Sequence, residues 1–184
     1  MPDILPGGAM EKVTWIPQGQ IIPHWLLMRD ARILPLARFL FYRVAKTPEE
    51  YLGMIYDIVA NKIKYIPDKK EFGMEEYVQM PFETIINGAG DCEDKSIAFV
   101  SLANAIGIPA REGLGYVYQG GKRISHRWGE ALYNGEWHLF ETTNSKVGHF
   151  PIDHYREMGY EPMFYIAPNY LLSNNLLILP QIYP

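Results

Sequence analysis

The stretch GAGDCEDKS, Gly88 to Ser96, holds the only cysteine in the chain, and its reading decides the fold. Two glycines and an aspartate before Cys92 read as a tight turn that ends at a helix N-terminus. After it, Ile97, Ala98, Val100, Ser101, Leu102, Ala105 and Ile106 recur at helical spacing. Gly107 closes that run, and Ile108-Pro109 cannot extend it. Cys92 is therefore expected in the first turn of a largely buried helix. Free main-chain amides and the positive dipole end favour a thiolate there, and a thiol of ordinary pKa ~8.5 is expected to shift toward neutral. A lone cysteine is usually a small buried hydrophobe. The polar neighbours Asp91, Glu93 and Asp94 argue for a nucleophile instead.

The 184 residues suit one domain with a substantial core. Hydrophobic residues make up 48% and charged residues 21%, which is a globular rather than a disordered balance. A net charge of −4 gives no reason to expect nucleic acid or an anionic membrane as partner. One cysteine excludes an internal disulfide and any multi-cysteine metal centre, and no HxH, HExxH or CxxC spacing is present, so neither metal nor cofactor is expected. Residues 1–20 lack an uninterrupted apolar run, so no signal peptide is expected and a cytoplasmic location is the default. Five charges interrupt the hydrophobic region from Trp25 to Val44, so a membrane span is not expected.

Residues 1–24 read as an arm, and 25–46 as one or two short helices around Pro35. Thr47-Pro48-Glu49-Glu50 is a helix start, with an N-cap, proline at the first helical position and acids in the first turn. Leu52, Ile55, Tyr56, Val59 and Ile63 carry that helix toward Tyr65-Ile66. Residues 67–80 read as a long loop, and Pro81 opens a short helical turn. Beyond Pro109 come short aromatic-rich strands at 110–118, 126–133 and 136–142, with hairpin turns at Gly120-Gly121 and Asn134-Gly135. Helices followed by an antiparallel meander give an α+β fold. Residues 144–184 read as an irregular segment wrapping the core.

The Asn134-Gly135 turn also fixes a register. A two-residue loop pairs Tyr133 with Glu136, hence Leu132 with Trp137, Glu130 with Leu139, Trp128 with Glu141 and His126 with Thr143. His126, Trp128 and Glu130 then share a face with Leu139, Glu141 and Thr143, and His138 lies on the other. His24, His149 and His154 fall in poorly patterned segments. His126 and Glu141 are diagonal neighbours ~7 Å apart, which a glutamate can bridge. A carboxylate there would orient the imidazole as a general base, and Trp128 would wall the site. If this face packs on the N-terminus of the Cys92 helix, nucleophile, base and orienter meet.

The blocks PFETIINGAGDCEDKSIAFVSLANAIGIPAREGLGYV and SHRWGEALYNGEWHLFETT resemble the transglutaminase-like superfamily. Its pattern of P-x-E-T-[LI], G-x-G-D-C-x-D, G-I-P-A-R, H-x-W-x-E and W-x-x-[LF]-D-x-T is matched in order from Pro81 to Thr143. The resemblance implies a papain-like core, with a nucleophile helix packed on an antiparallel sheet, and a Cys92–His126–Glu141 triad. Glu141 stands where the family usually has aspartate. It implies an oxyanion donor upstream of the cysteine, with Gln79 and Tyr77 as candidates. The expected layout is one domain over 1–184, a catalytic core at about 47–143, an N-terminal extension 1–46 and a C-terminal segment 144–184. The expected activity is cysteine-dependent amide chemistry on a peptide or protein, hydrolytic or acyl-transferring. A catalytically silent module of the same fold is the alternative.

Overall fold

A computed structural model of the chain describes residues 27–73 and 77–168, with the backbone of short strands at 15–16, 20–21, 170–173 and 176–178. Strands β1 (Trp15–Ile16) and β2 (Gln20–Ile21) pair antiparallel. The rest of the 1–24 arm lies outside the described residues. Around Pro35 the chain forms a 3-10 turn, Ala31–Ile33, then helix α1 (Leu34–Phe39) and a π-helical turn, Leu40–Val44. Pro35 sits in the first turn of α1, where its missing N–H removes no helical bond.

Helix α2 (Pro48–Asp57) begins as its sequence dictates. Thr47 Oγ1 accepts from the Glu50 N–H at 3.1 Å, and Glu50 Oε2 accepts from the Lys46 N–H at 2.7 Å. The first bond satisfies a donor that the first helical turn leaves free, and the second ties the residue before the cap to the same turn. A π-helical turn, Ile58–Lys62, continues α2, and the helix stops there rather than at Tyr65-Ile66. The chain straightens because Lys64–Tyr65 (β3) pairs in parallel with Ala89–Gly90 (β4), the residues just before the cysteine turn. The expected loop 67–80 contains a short helix α3 (Asp68–Glu71), followed by α4 (Pro81–Asn87) with Pro81 leading it.

Helix α5 (Cys92–Ala105) is buried on every side from Glu93 to Ala103 and runs through the middle of the molecule. Gly107, at φ +86°, follows its C-terminus.

The sheet comprises β5 (Ala110–Gln119), β6 (Lys122–Tyr133), β7 (Glu136–Phe140), β8 (His149–Pro151), β9 (Tyr160–Ala167), β10 (Tyr170–Ser173) and β11 (Leu176–Ile178). Among the described residues its order is β11-β10-β9-β5-β6-β7-β8, and all its pairings are antiparallel. The Asn134-Gly135 turn has both φ angles positive, and β6 pairs with β7 in the register read from the sequence, from Tyr133↔Glu136 to Gly129↔Phe140.

The described residues of 144–184 are not irregular, as the sequence reading has them. They contribute β8 to β11, and β9 lies against β5. The signal is masked by Pro162, which sits in β9 where the β5 register slips between Leu114 and Gly115. The close approach there requires glycine: a Cβ on Gly115 would stand 2.1 Å from the Glu161 carbonyl oxygen.

Each sheet face carries a core. Phe99 of α5 packs with Ala131, Phe140, Leu114 and Ile166 on one face, while Trp128, Leu139, Phe150, Tyr155 and Tyr160 cluster on the other. Gly129 lets α5 come close, since a Cβ there would stand 2.4 Å from the Phe99 ring. Helix α5 therefore covers the face opposite to the one the sequence reading assigned it. No helix among the described residues is long and apolar enough to cross a membrane.

Candidate active site

Cys92 is the first residue of α5, and it is half-buried. The turn before it is held by Gln79 and Asp94. The Gln79 N–H donates to Asp94 Oδ1 at 2.7 Å, and its amide nitrogen donates to Asp94 Oδ2 at 2.8 Å and to the Ala89 carbonyl at 3.1 Å. Asn87 donates to Gln79 Oε1 at 2.9 Å. Both amide hydrogens of Gln79 are thus committed, and the residue is fully buried. Gln79 fixes the turn and has no donor left for an oxyanion. Tyr77 donates its N–H to Asp68 and sets its ring against Phe72 at a tilt of 48°, with centroids 4.4 Å apart. Neither candidate lines the cavity that Cys92 borders. The main-chain N–H of Cys92 remains, as one of the helix's first four without an intrahelical acceptor.

The thiol of Cys92 donates to Glu93 Oε2 at 3.1 Å. Burial pushes the thiol well above its ordinary value, and the Glu93 carboxylate beside the sulfur adds to that. The Arg127 guanidinium opposes them. The expected drop toward neutral is thus reversed in this arrangement, because burial, reinforced by Glu93, outweighs the Arg127 charge. Burial alone would also raise Glu93, but the Arg127 charge and hydrogen bonds from Asp91 and Cys92 hold it below the usual carboxylate range.

His126 stands on β6, and its Nε2 lies 2.9 Å from Glu141 Oε2. Glu141 is buried and fully bonded. Its Oε1 accepts from the Thr143 N–H at 2.8 Å, the Thr143 hydroxyl at 2.6 Å and the Asn144 N–H at 3.2 Å, and Tyr160 donates to Oε2 at 2.6 Å. Burial would raise this carboxyl, but His126 and the Thr143 and Tyr160 bonds bring it down to about 2. An ionised Glu141 only accepts, so His126 Nε2 carries the proton in this bond. The longer glutamate reaches the ring, as the hairpin register implies.

Cys92, His126 and Glu141 border one cavity of about 460 Å³, with Thr143, Tyr160 and Tyr65. Cys92 comes from the helix on one face of the sheet and His126 from the other face. Trp128 lies behind the ring rather than in the cavity wall, 6.2 Å from His126 by centroids. Its indole N–H donates to Glu130 at 2.9 Å and Tyr155 at 3.0 Å. His138 lies on the helix-facing side as parity demands, with its Nδ1 3.4 Å from that of His149. His24 lies outside the described residues. Two acid groups, Asp91–Cys92–Glu93 and Asp68–Asp91–Asp94, bring candidate metal-ligand atoms within 4.8 Å of one another.

The sequence reading missed Tyr160, Glu93 and Tyr65 as site neighbours. Tyr160 carried no signal, being one aromatic among many in the 144–184 segment. Glu93 is legible beside the cysteine, but only the folded turn aims its carboxylate at the sulfur.

This arrangement belongs to a known class. The transglutaminase-like superfamily model matches residues 40–142, and the chain belongs to that superfamily. Among solved structures, the chain is similar to a candidate cysteine protease from Cytophaga hutchinsonii, at 22% identity and TM-score 0.51, over 78% of this chain and 51% of that one. It is also similar to calcium-bound LapG from Legionella pneumophila, at 17% identity and TM-score 0.52, over 82% of this chain and 91% of that one. These likenesses carry the fold. The chain spans about half the length of the Cytophaga protein. No curated protein matches.

Proposed function

We propose that the chain is a cysteine-dependent amide-bond enzyme, with Cys92 as nucleophile, His126 as base and Glu141 as orienter. The observation that carries the reading is the buried, ionised Glu141 holding His126 Nε2 at 2.9 Å, with the ring and Cys92 bordering the same cavity. His126 Nδ1 takes the thiol proton as sulfur attacks the carbonyl carbon, and the carbonyl pair moves to oxygen. The Cys92 N–H, at the positive end of α5, is placed to stabilise that oxyanion. The C–N bond then breaks, the leaving amine takes the proton from Nδ1, and a thioester remains on Cys92. Water, deprotonated by the same nitrogen, releases the acid and restores the thiol. An acceptor amine in place of water would give acyl transfer. The fold's likeness to a candidate cysteine protease favours hydrolysis of a peptide or protein amide.

The test is Cys92→Ala, which abolishes amide turnover and leaves the melting temperature nearly unchanged. Turnover that survives ends the proposal.

A second reading, a silent module, draws on the thiol's bond to Glu93 and the committed amide of Gln79. In that case iodoacetamide alkylates Cys92 at the same slow rate in the native chain and in His126→Ala. A working base makes the native chain faster.

A further inference from the structure

Among the described residues, strand β6 is paired over most of its length on one side only. Toward β5 it pairs from Lys122 to Ala131, but toward β7 only from Gly129 to Tyr133. The two hairpin turns say which groups the unpaired stretch presents. Two-residue loops make Gln119↔Lys122 and Tyr133↔Glu136 hydrogen-bonded pairs. Alternation then turns the N–H and C=O of Lys122, Ile124 and His126 toward β5, and those of Arg123 and Ser125 toward the open side. Both of these residues are exposed.

Exposed strand edges are commonly blunted by a proline, a bulge or an outward charge. This one is not. Ser125 is small, and the Arg123 side chain is folded back onto Glu161 at 3.0 Å and over the Tyr116 ring at 3.5 Å. The open edge ends at His126, and Ile124, Ser125 and His126 border the cavity that holds Cys92. The same cavity is lined by Val117, Val147 and Met158, which gives one side of the edge an apolar lining.

We propose that an extended peptide adds to the Arg123–Ser125 edge of β6 as a further strand, and that this ladder delivers its carbonyl to Cys92. The inference rests on the amide-enzyme reading above and names its substrate class: an unfolded or loop segment, bound through its main chain. Alternate residues of the added strand face the apolar lining of Val117, Ile124 and Met158, so every second position favours an apolar side chain. The intervening side chains face away and tolerate variation.

The probe is acetyl-Val-Ala-Val-Ala chloromethyl ketone, whose terminal carbon the Cys92 sulfur attacks as chloride leaves. Its rate of Cys92 alkylation is compared with that of acetyl-Ala chloromethyl ketone and with the four singly N-methylated tetrapeptides. Strand addition predicts at least a 30-fold gain for the tetrapeptide over the single-residue reagent. N-methylation on one alternate pair of amides costs at least tenfold, because those N–H groups bond to β6, and less than threefold on the other pair. Ser125→Pro removes the outward donor and lowers the tetrapeptide rate at least tenfold; the N-methyl series stands even where that variant fails to fold. A tetrapeptide with no gain over the short reagent, or four isomers that lose alike, overturns strand addition and leaves the amide-enzyme reading standing. A Cys92 that neither chloromethyl ketone alkylates overturns that reading and the strand addition with it.

Discussion

Replacing Glu93 by glutamine should make Cys92 more reactive. The Glu93 carboxylate oxygen lies 3.1 Å from the sulfur and accepts the thiol proton. It stabilises the thiol and repels the thiolate, so both effects raise the thiol's pKa. Two unit charges at that distance interact by about 5 kcal/mol at an effective dielectric of ~20, an upper bound for a site open to solvent on one side. If only a quarter survives screening and relaxation, the change is about 1.4 kcal/mol, one pKa unit and tenfold more thiolate at pH 7. Glu93→Gln also removes one of the carboxylates facing the Arg127 charge, which already favours the thiolate, while Glu112 stays 3.7 Å from that guanidinium. The assay is the pH profile of iodoacetamide alkylation for the native chain and the variant, each first shown to melt cooperatively. The expected result is a midpoint at least one unit lower in the variant, and an alkylation rate at pH 7 at least tenfold higher. A midpoint that stays or rises would refute the reasoning, since it would mean the carboxylate does not face the sulfur in solution.

Other outcomes follow from the same geometry. Glu141→Gln keeps the shape but loses the charge that fixes the imidazole, so kcat should fall by about 10²–10⁴ with KM little changed; a loss below threefold would remove Glu141 from the triad. Gly129→Ala places a methyl against the Phe99 ring, 2.4 Å from its nearest atom, and should cost about 1–3 kcal/mol in denaturant unfolding. Stability should fall as pH rises from 5 to 8. Burial raises Asp68 to about 6 and Asp94 to about 7 from 3.8, so their contribution is complete below about 3.8 and is lost as pH climbs through 6–7. A melting series from pH 4 to 8 checks this, and Asp68→Asn should flatten it. At the acid end the sign reverses: Glu141, held at about 2, contributes above its ordinary value of 4.5 and loses that contribution as pH drops toward 2.

What the sequence could supply was local. The caps of α2 and the start of α5 are written in adjacent residues, and the Asn134-Gly135 turn fixes the β6–β7 register because a two-residue loop leaves no alternative. That register alone puts His126 within reach of Glu141. The error over which face α5 covers has a physical source. Strand parity says which residues share a face, not what covers it. Trp128 reads as the wall of the site on the face with His126, whereas a close helix needs the small side of the strand, Gly129 and Ala131. The later strands escaped because Pro162 and the slip at Gly115 break the pattern that marks a strand. Gln79 looked like a free amide, and its three donated bonds reach residues 10 and 15 positions along the chain, which no local pattern can report.

The most direct test of Cys92, His126 and Glu141 as one catalytic unit is to trap the acyl-enzyme. An acyl donor carrying a mass label is mixed with the chain, quenched in acid within a turnover and digested for mass spectrometry. The account predicts the label on the peptide containing Cys92, its absence in Cys92→Ala, and at least a hundredfold slower appearance in His126→Ala. Label on another residue, or appearance at the native rate without the histidine, would contradict it.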